Sequence, residues 1–176
     1  MATYPNDGIL FRKSDMIFAA QTDAVFLNES RARSRTGAHI FLSENEPKPK
    51  LNGPVLTIAK IIKTVMASAA EAEMAELYIT AKNMVPLRNT LIEMGCPQTQ
   101  MPIQTYKSTE VGFTNKTIVN KATKSADMTL WWIRDRESQE QFRYYWAPGS
   151  EDEGDYSTKH HLPIYNESKR ANPYLV

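Results

Sequence analysis

Residues 16–27 read MIFAAQTDAVFL, a stretch rich in β-branched and aromatic residues. This composition predicts a β-strand, the first of the chain. The turn signal Asn28-Glu29-Ser30 follows it, and residues 33–43 have the composition of a second strand. Because two strands joined by so short a turn pair antiparallel, we expect the fold to begin with a β-hairpin.

Strands and helices follow the hairpin. Residues 44–54, ENEPKPKLNGP, are expected to form a loop, because three prolines and an Asn-Gly pair oppose ladder hydrogen bonds. The later elements are expected to be a strand over 55–62, a helix begun by the capping box of Ser68 and Glu71, a second helix with Pro86 in its first turn and Gly95 past its end, a strand over 101–105, a helix over 125–139 and a strand over 142–146. This order predicts an α/β fold with a mixed five-stranded sheet flanked by helices.

Length and composition limit the class of protein. The chain has 176 residues, of which 41% are apolar and 23% charged, and this corresponds to about one globular domain. Its net charge of +1 gives no overall field that would favour a nucleic acid or a membrane surface. The single cysteine, Cys96, excludes an internal disulfide. The most apolar stretch is interrupted by Lys60 and Lys63, so no membrane partner is expected. We expect an intracellular, cytoplasmic protein.

Three groups of carboxylates are candidates for chemistry. Asp23 lies inside an apolar strand, where a charge is costly unless it is paired, hydrogen-bonded or bound to a cation; the alternative is a solvent-facing Asp. Glu73 lies at the edge of the buried stripe of the first helix, and its alternative is a surface Glu. Asp155 ends the acidic run 151–155, which is most simply a solvated loop. If Asp155 approached Asp23, their oxygens would suit Mg²⁺ or Mn²⁺.

A modest basic patch precedes the last helix. Lys116, Lys121 and Lys124 lie in residues 115–126, which contain no acidic residue. Such a patch is compatible with contacts to nucleic-acid phosphates, and equally with ordinary solubilising charge.

Several blocks of this sequence resemble the ribonuclease H domain of copia-type retrotransposon polyproteins. They are Asp23 in the first strand, SAAEAEM at 68–74, KATKSADMTLWWIR at 121–134 and GDYSTK at 154–159. The resemblance covers residues 15–165, so we expect a ribonuclease H-like domain there, an N-terminal extension over 1–14 and a C-terminal tail over 166–176. It also adds the nucleus and a virus-like particle as alternative locations.

The resemblance implies a two-metal nuclease that cuts the RNA strand of an RNA–DNA hybrid. Four carboxylates in such a site hold two Mg²⁺ or Mn²⁺ ions about 4 Å apart. Carried over by position, Asp23 is the first ligand, Glu73 the helix ligand and Asp155 the last. The hybrid is the implied partner, and the oligomeric state is left open.

The fourth ligand position departs from the family pattern. Where the family reads roughly T-D-N-S-T, this chain reads TYKST over residues 105–109, so Tyr106 replaces an aspartate. A neutral phenol is a poor ligand for a hard cation. We therefore expect a domain that keeps the fold and has lost most or all nuclease activity. The alternatives are a non-catalytic nucleic-acid-binding or interaction module and a decayed remnant of an element.

Overall fold

The computed structural model describes residues 8–105, residues 124–147 and Thr158, without the side chains of residues 124–127. Five strands and two helices lie in these ranges. They are β1 (Ile17–Glu29), β2 (Arg33–Ser43), β3 (Pro54–Ile61), α1 (Ala69–Glu93), β4 (Met101–Thr105), α2 (Lys124–Ser138) and β5 (Phe142–Trp146). Neither of the two helices is long and apolar enough to cross a membrane.

The strands form one mixed sheet in the order β3-β2-β1-β4-β5. The pairs β1–β2 and β2–β3 are antiparallel, and the pairs β1–β4 and β4–β5 are parallel. The mixed five-stranded sheet predicted from the sequence is thereby confirmed. Strand β1 is central in this order, so any side chain on it has a neighbouring strand on both sides.

One face of the sheet carries the apolar core. Side chains alternate between the two faces of a strand, and Phe18 and Ala20 of β1 point to the same side as Ile103 of β4 and Tyr144 of β5. Helix α1 packs on this face through Leu77 and its buried neighbours, and α2 packs against α1. The helices therefore cover one side of the sheet in the described part of the chain.

Helix α1 begins as the sequence predicts. The Ser68 side chain accepts a hydrogen bond from the Glu71 N–H at 3.2 Å, and the Glu71 carboxylate accepts one from the Ala67 N–H at 2.8 Å. The reciprocal cap is thus present, with the carboxylate bound one residue earlier than in the standard capping box. Both bonds fix the direction in which the helix leaves residue 68.

The prediction of a second helix starting at Pro86 is wrong, because α1 continues through Pro86 to Glu93. A proline inside a helix removes one hydrogen bond and costs about 3 kcal/mol. Met84 and Leu91, before and after it, are buried in the same core. Their burial offsets the cost of the proline, and the chain keeps one long helix. Gly95 follows with a φ of +85°, as expected for a residue just past a helix end.

Strand boundaries differ from prediction at both ends of β1 and at β3. The strands β2, β4 and β5 have the predicted ranges, whereas β1 continues to Glu29 and β3 runs from Pro54 to Ile61. The turn therefore falls later than Asn28-Glu29-Ser30. Arg31 and Ala32 make the turn with positive φ angles of 63° and 51°.

Residues before β1 contact the loop that precedes β3. The Arg12 N–H donates to Asn52 Oδ1 at 2.7 Å, and Asn52 Nδ2 donates back to the Arg12 carbonyl at 3.0 Å. A Cβ on Gly53 would come within 2.7 Å of the Phe11 ring. Glycine at this position is what lets the N-terminal segment lie so close to the loop.

Candidate functional site

Asp23 lies on the central strand, on the face opposite the α1 core. It is half-buried and pairs across the sheet with Gly37 of β2. The Thr158 hydroxyl donates to Asp23 Oδ2 at 2.5 Å, although the two residues are 135 positions apart. Thr158 is itself only 2% exposed. Asp23 is therefore a half-buried carboxylate that accepts a hydrogen bond from a buried hydroxyl.

Glu73 lies in the second turn of α1 and is 4% exposed, so the alternative of a surface glutamate is wrong. Glu76, three residues later and therefore on the same side of the helix, is also buried. Glu76 was not among the residues predicted from the sequence. Its spacing from Glu73 could have indicated that two acidic side chains share one helix face.

The direction of α1 brings its first turns toward the Asp23 end of β1. Gln98, just after the helix, accepts a hydrogen bond from the Phe18 N–H at 3.1 Å and donates to the Met16 carbonyl at 2.7 Å. The end of α1 is therefore tied to the start of β1, and the helix packs back along that strand. Glu73 and Asp23 consequently belong to the same end of the domain.

The other predicted site residues lie outside the described residues. These are Asp155, Tyr106, Lys116 and Lys121; Lys124 opens α2, but its side chain is also outside the description. Within residues 8–105, 124–147 and 158, no three His, Cys, Asp or Glu side chains form a group that could hold a metal ion.

A row of polar side chains crosses the face that carries Asp23, and it was not predicted from the sequence. Gln21 of β1 donates through Nε2 to Gln104 Oε1 of β4 at 3.3 Å, and the Tyr145 hydroxyl of β5 donates to the same oxygen at 3.1 Å. On the other side, Thr57 Oγ1 of β3 lies 3.3 Å from His39 Nδ1 of β2. Each of the five strands contributes one side chain, so we call this set the polar row.

The polar row is in register with the sheet. Gln21 pairs with both His39 and Gln104, and Gln104 pairs with Tyr145. Gln21, His39 and Gln104 are all buried. Because a one-residue slip would move these groups to the apolar face, the row favours the observed register. Asp23 is two residues beyond Gln21 on the same face. The row therefore also fixes the position of Asp23 relative to the neighbouring strands.

The donor chemistry of the described carboxylates fits a hard divalent cation. Carboxylate oxygens are the ligands that Mg²⁺ and Mn²⁺ prefer. Asp23 is half-buried with one oxygen engaged by Thr158, and Glu73 is a buried carboxylate at the same end of the domain. The two residues can hold a cation only together with oxygen donors from elsewhere, since two carboxylates do not fill its coordination shell.

Comparison with known proteins gives one related sequence. The chain is 24% identical over 153 residues to the retrovirus-related Pol polyprotein from transposon TNT 1-94 of Nicotiana tabacum. The match covers 87% of this chain and 11% of the polyprotein, so the chain spans only a small part of that relative's length. No family model matches the sequence.

Solved structures share the fold. LC11-RNase H1, isolated from compost, matches with a TM-score of 0.60 at 11% identity, over 81% of this chain and 92% of that chain. The same enzyme in complex with an RNA/DNA hybrid matches with a TM-score of 0.57 at 9% identity, over 77% and 88% of the two chains. The predicted ribonuclease H-like fold and the resemblance to retrotransposon Pol polyproteins are both confirmed.

Proposed function

We propose that this chain is a retroelement-derived ribonuclease H-like domain that binds RNA–DNA hybrids and whose two-metal cleavage of the RNA strand is impaired by Tyr106. The observation that carries the proposal is the Thr158–Asp23 hydrogen bond. It joins Thr158, a residue of the last block that carries the resemblance, to Asp23, a residue of the first. The fold and the related Pol polyprotein supply the context for this contact.

Asp23, Glu73 and Asp155 are the residues that would hold Mg²⁺ or Mn²⁺. Asp155 precedes Thr158 by three residues, so their Cα atoms are at most about 11 Å apart. Because Thr158 contacts Asp23, this short separation along the chain supports Asp155 as a further ligand. Bound metal ions supply an activated water and charge stabilisation of the leaving oxygen. The chain's own contribution is to hold the carboxylates at one end of the sheet.

Tyr106 is the reason for impaired cleavage. Tyr106 directly follows β4 in the sequence and is two residues beyond Gln104. Gln104 pairs with Gln21 of β1, and Asp23 is two residues beyond Gln21. In the sequence, the ligand position that the family fills with aspartate therefore directly follows the strand that pairs with the strand of Asp23. A phenol that stays neutral at pH 7 adds no negative charge to balance two dications.

Hybrid binding is supported by the neighbouring structure that contains an RNA/DNA hybrid, and by the basic residues Lys116, Lys121 and Lys124. Binding by such a patch depends on phosphate charge and weakens as the salt concentration rises. The second candidate function is a hybrid-binding module without cleavage. Tyr106 favours it, because losing a metal ligand affects catalysis more than contacts to the backbone of the hybrid.

The test is cleavage of a labelled RNA–DNA hybrid in Mg²⁺ and in Mn²⁺ by the natural chain and by a Tyr106→Asp variant. We expect little or no cleavage by the natural chain and clear cleavage by Tyr106→Asp, because the fourth carboxylate is then present. The matched control is Tyr106→Asp combined with Asp23→Asn, which should be inert. Cleavage by the natural chain at the rate of Tyr106→Asp would refute the impairment. No cleavage by either protein would remove the catalytic proposal.

The binding arm uses fluorescence anisotropy with the hybrid and with a DNA duplex of the same sequence. We expect the natural chain to prefer the hybrid and to lose affinity steeply between low and high salt. Replacing Lys116, Lys121 and Lys124 by Gln should flatten the salt dependence. Equal and weak binding to both duplexes would instead favour a decayed remnant.

A further inference from the structure

We propose that Thr158 is a positioning residue for metal binding at Asp23. Its hydroxyl donates to Asp23 Oδ2 and so helps to fix the orientation of the carboxylate that would bind the cation. This inference rests on the proposed function, because it concerns the same carboxylate. It goes beyond that function by giving a role to Thr158, to which the proposed function assigns none.

The geometry of the contact supports a fixed orientation. The Thr158 hydroxyl donates to Asp23 Oδ2, and hydrogen bonds to an ionised carboxylate are stronger than those between neutral groups. Thr158 is 2% exposed and β-branched, so its χ1 angle has little freedom. The donor is therefore held in place before a cation arrives.

The hydrogen bond from Thr158 restricts the orientation of the Asp23 carboxylate. The terminal torsion of an aspartate side chain is broad, so a carboxylate without a bound donor samples a wide range of orientations. A hydroxyl has one proton to give, and here it goes to Oδ2. The bond selects one orientation and reduces the loss of freedom on metal binding, which is the usual effect of residues that hydrogen-bond to metal ligands.

The same bond couples two distant parts of the chain. Thr158 is three residues after Asp155, and Asp23 lies on the central strand. A cation that binds both carboxylates favours the arrangement in which the hydroxyl bond is also made. Because coupling between two equilibria is reciprocal, loss of the hydroxyl should weaken metal binding by the whole set of carboxylates.

The test measures Mn²⁺ and Mg²⁺ affinity by isothermal titration calorimetry on the full chain, in the natural and the Tyr106→Asp backgrounds. Thr158→Val keeps the branched shape and removes the hydroxyl, and Thr158→Ser keeps the hydroxyl and removes the methyl. We expect Thr158→Val to raise the Kd by about ten- to a hundredfold. Thr158→Ser should stay within about threefold of its parent, since a single hydrogen bond to a charged group accounts for the larger effect.

The outcomes separate this inference from the proposed function. Unchanged affinity in Thr158→Val, with binding lost in Asp23→Asn, overturns the role of Thr158 and leaves the metal site standing. Equal weakening by Thr158→Val and Thr158→Ser also overturns it, because the methyl packing would then be responsible. No binding by the parent chain in either background overturns both proposals.

A measurement on the unmutated residue covers the case in which Thr158→Val does not fold. With the threonine methyl groups ¹³C-labelled, we expect the Thr158 methyl signal to shift during a Mg²⁺ titration with the midpoint that calorimetry gives. A Thr158 signal that does not move while Mg²⁺ binds at Asp23 would contradict the inference.

Discussion

The two faces of the sheet are built on different principles. The face under α1 is filled with side chains such as Phe18, Ile40 and Ile103, which bury apolar surface without directional bonds. The opposite face carries the polar row and Asp23, whose side chains make directional hydrogen bonds, within the row and from Thr158 to Asp23. Both faces use the same five strands, with the side chains of each strand alternating between them.

This difference teaches which face stabilises the fold and which face sets its geometry. Apolar burial is roughly proportional to area and tolerates small shifts. A hydrogen bond exists only within a narrow range of distance and angle. The apolar face should therefore account for most of the free energy of unfolding. The polar face should determine the register of the strands, and thereby the position of Asp23 relative to the neighbouring strands.

The largest effect is expected from breaking the apolar face. Leu77→Ala removes a side chain that is 2% exposed at the centre of the α1 contact. It should lower the free energy of unfolding by about 3 kcal/mol, from lost transfer energy and a residual cavity. Urea denaturation followed by circular dichroism measures it. Val55→Ala, at a position 48% exposed on an edge strand, is the control and should change stability by less than about 0.5 kcal/mol. Equal effects would contradict the division between the faces.

A smaller effect is expected from breaking the polar row. Gln104→Leu removes an acceptor of the buried Gln21 amide and of the half-buried Tyr145 hydroxyl. The cost should be about 2 kcal/mol, the penalty for unsatisfied buried polar groups. Tyr145→Phe in the Gln104→Leu background should then cost less than Tyr145→Phe alone. Additive effects in this double-mutant cycle, again by urea denaturation, would show that the two side chains are not coupled.

The smallest effect, and the sharpest comparison, comes from a hydroxyl on the apolar face. The Tyr144 hydroxyl has no hydrogen-bond partner among the described residues, and Tyr144→Phe should therefore change stability at pH 7 by no more than about 1 kcal/mol, toward greater stability. This contrasts with Tyr145, one residue away on the other face, whose hydroxyl is bonded.

Tyr144 also predicts a pH dependence. Burial, with a smaller contribution from the charge of Glu137, raises the pKa of Tyr144 far above its usual value. The native state keeps the proton where the unfolded chain releases it, so stability is complete below about pH 10 and falls as the pH rises further. Tyr144→Phe should reduce that fall in urea denaturation at pH 9 to 11. An unchanged alkaline slope would contradict a buried, protonated Tyr144.

Local patterns in the sequence were sufficient for most elements. The ranges of β2, β4 and β5 and the cap at Ser68 depend on a few neighbouring residues, and the structure has them as predicted. Pro86 was misread because its effect on a helix is local, whereas the packing that overrides it involves residues on the sheet. Asp23 could be identified because a charge inside an apolar strand requires an explanation, wherever its partner lies.

Only the tertiary structure decided how the site is assembled. The sequence identified Asp23 and Glu73 but not the burial of Glu73, the polar row or the hydrogen bond from Thr158. The physical reason is that periodicity and capping are read over a few residues, while a contact between positions 23 and 158 exists only after the strands and helices have packed. The sequence by itself determined most of the elements, the fold class and the residue types available for chemistry. Packing of the chain decided that α1 continues through Pro86 and which side chains meet.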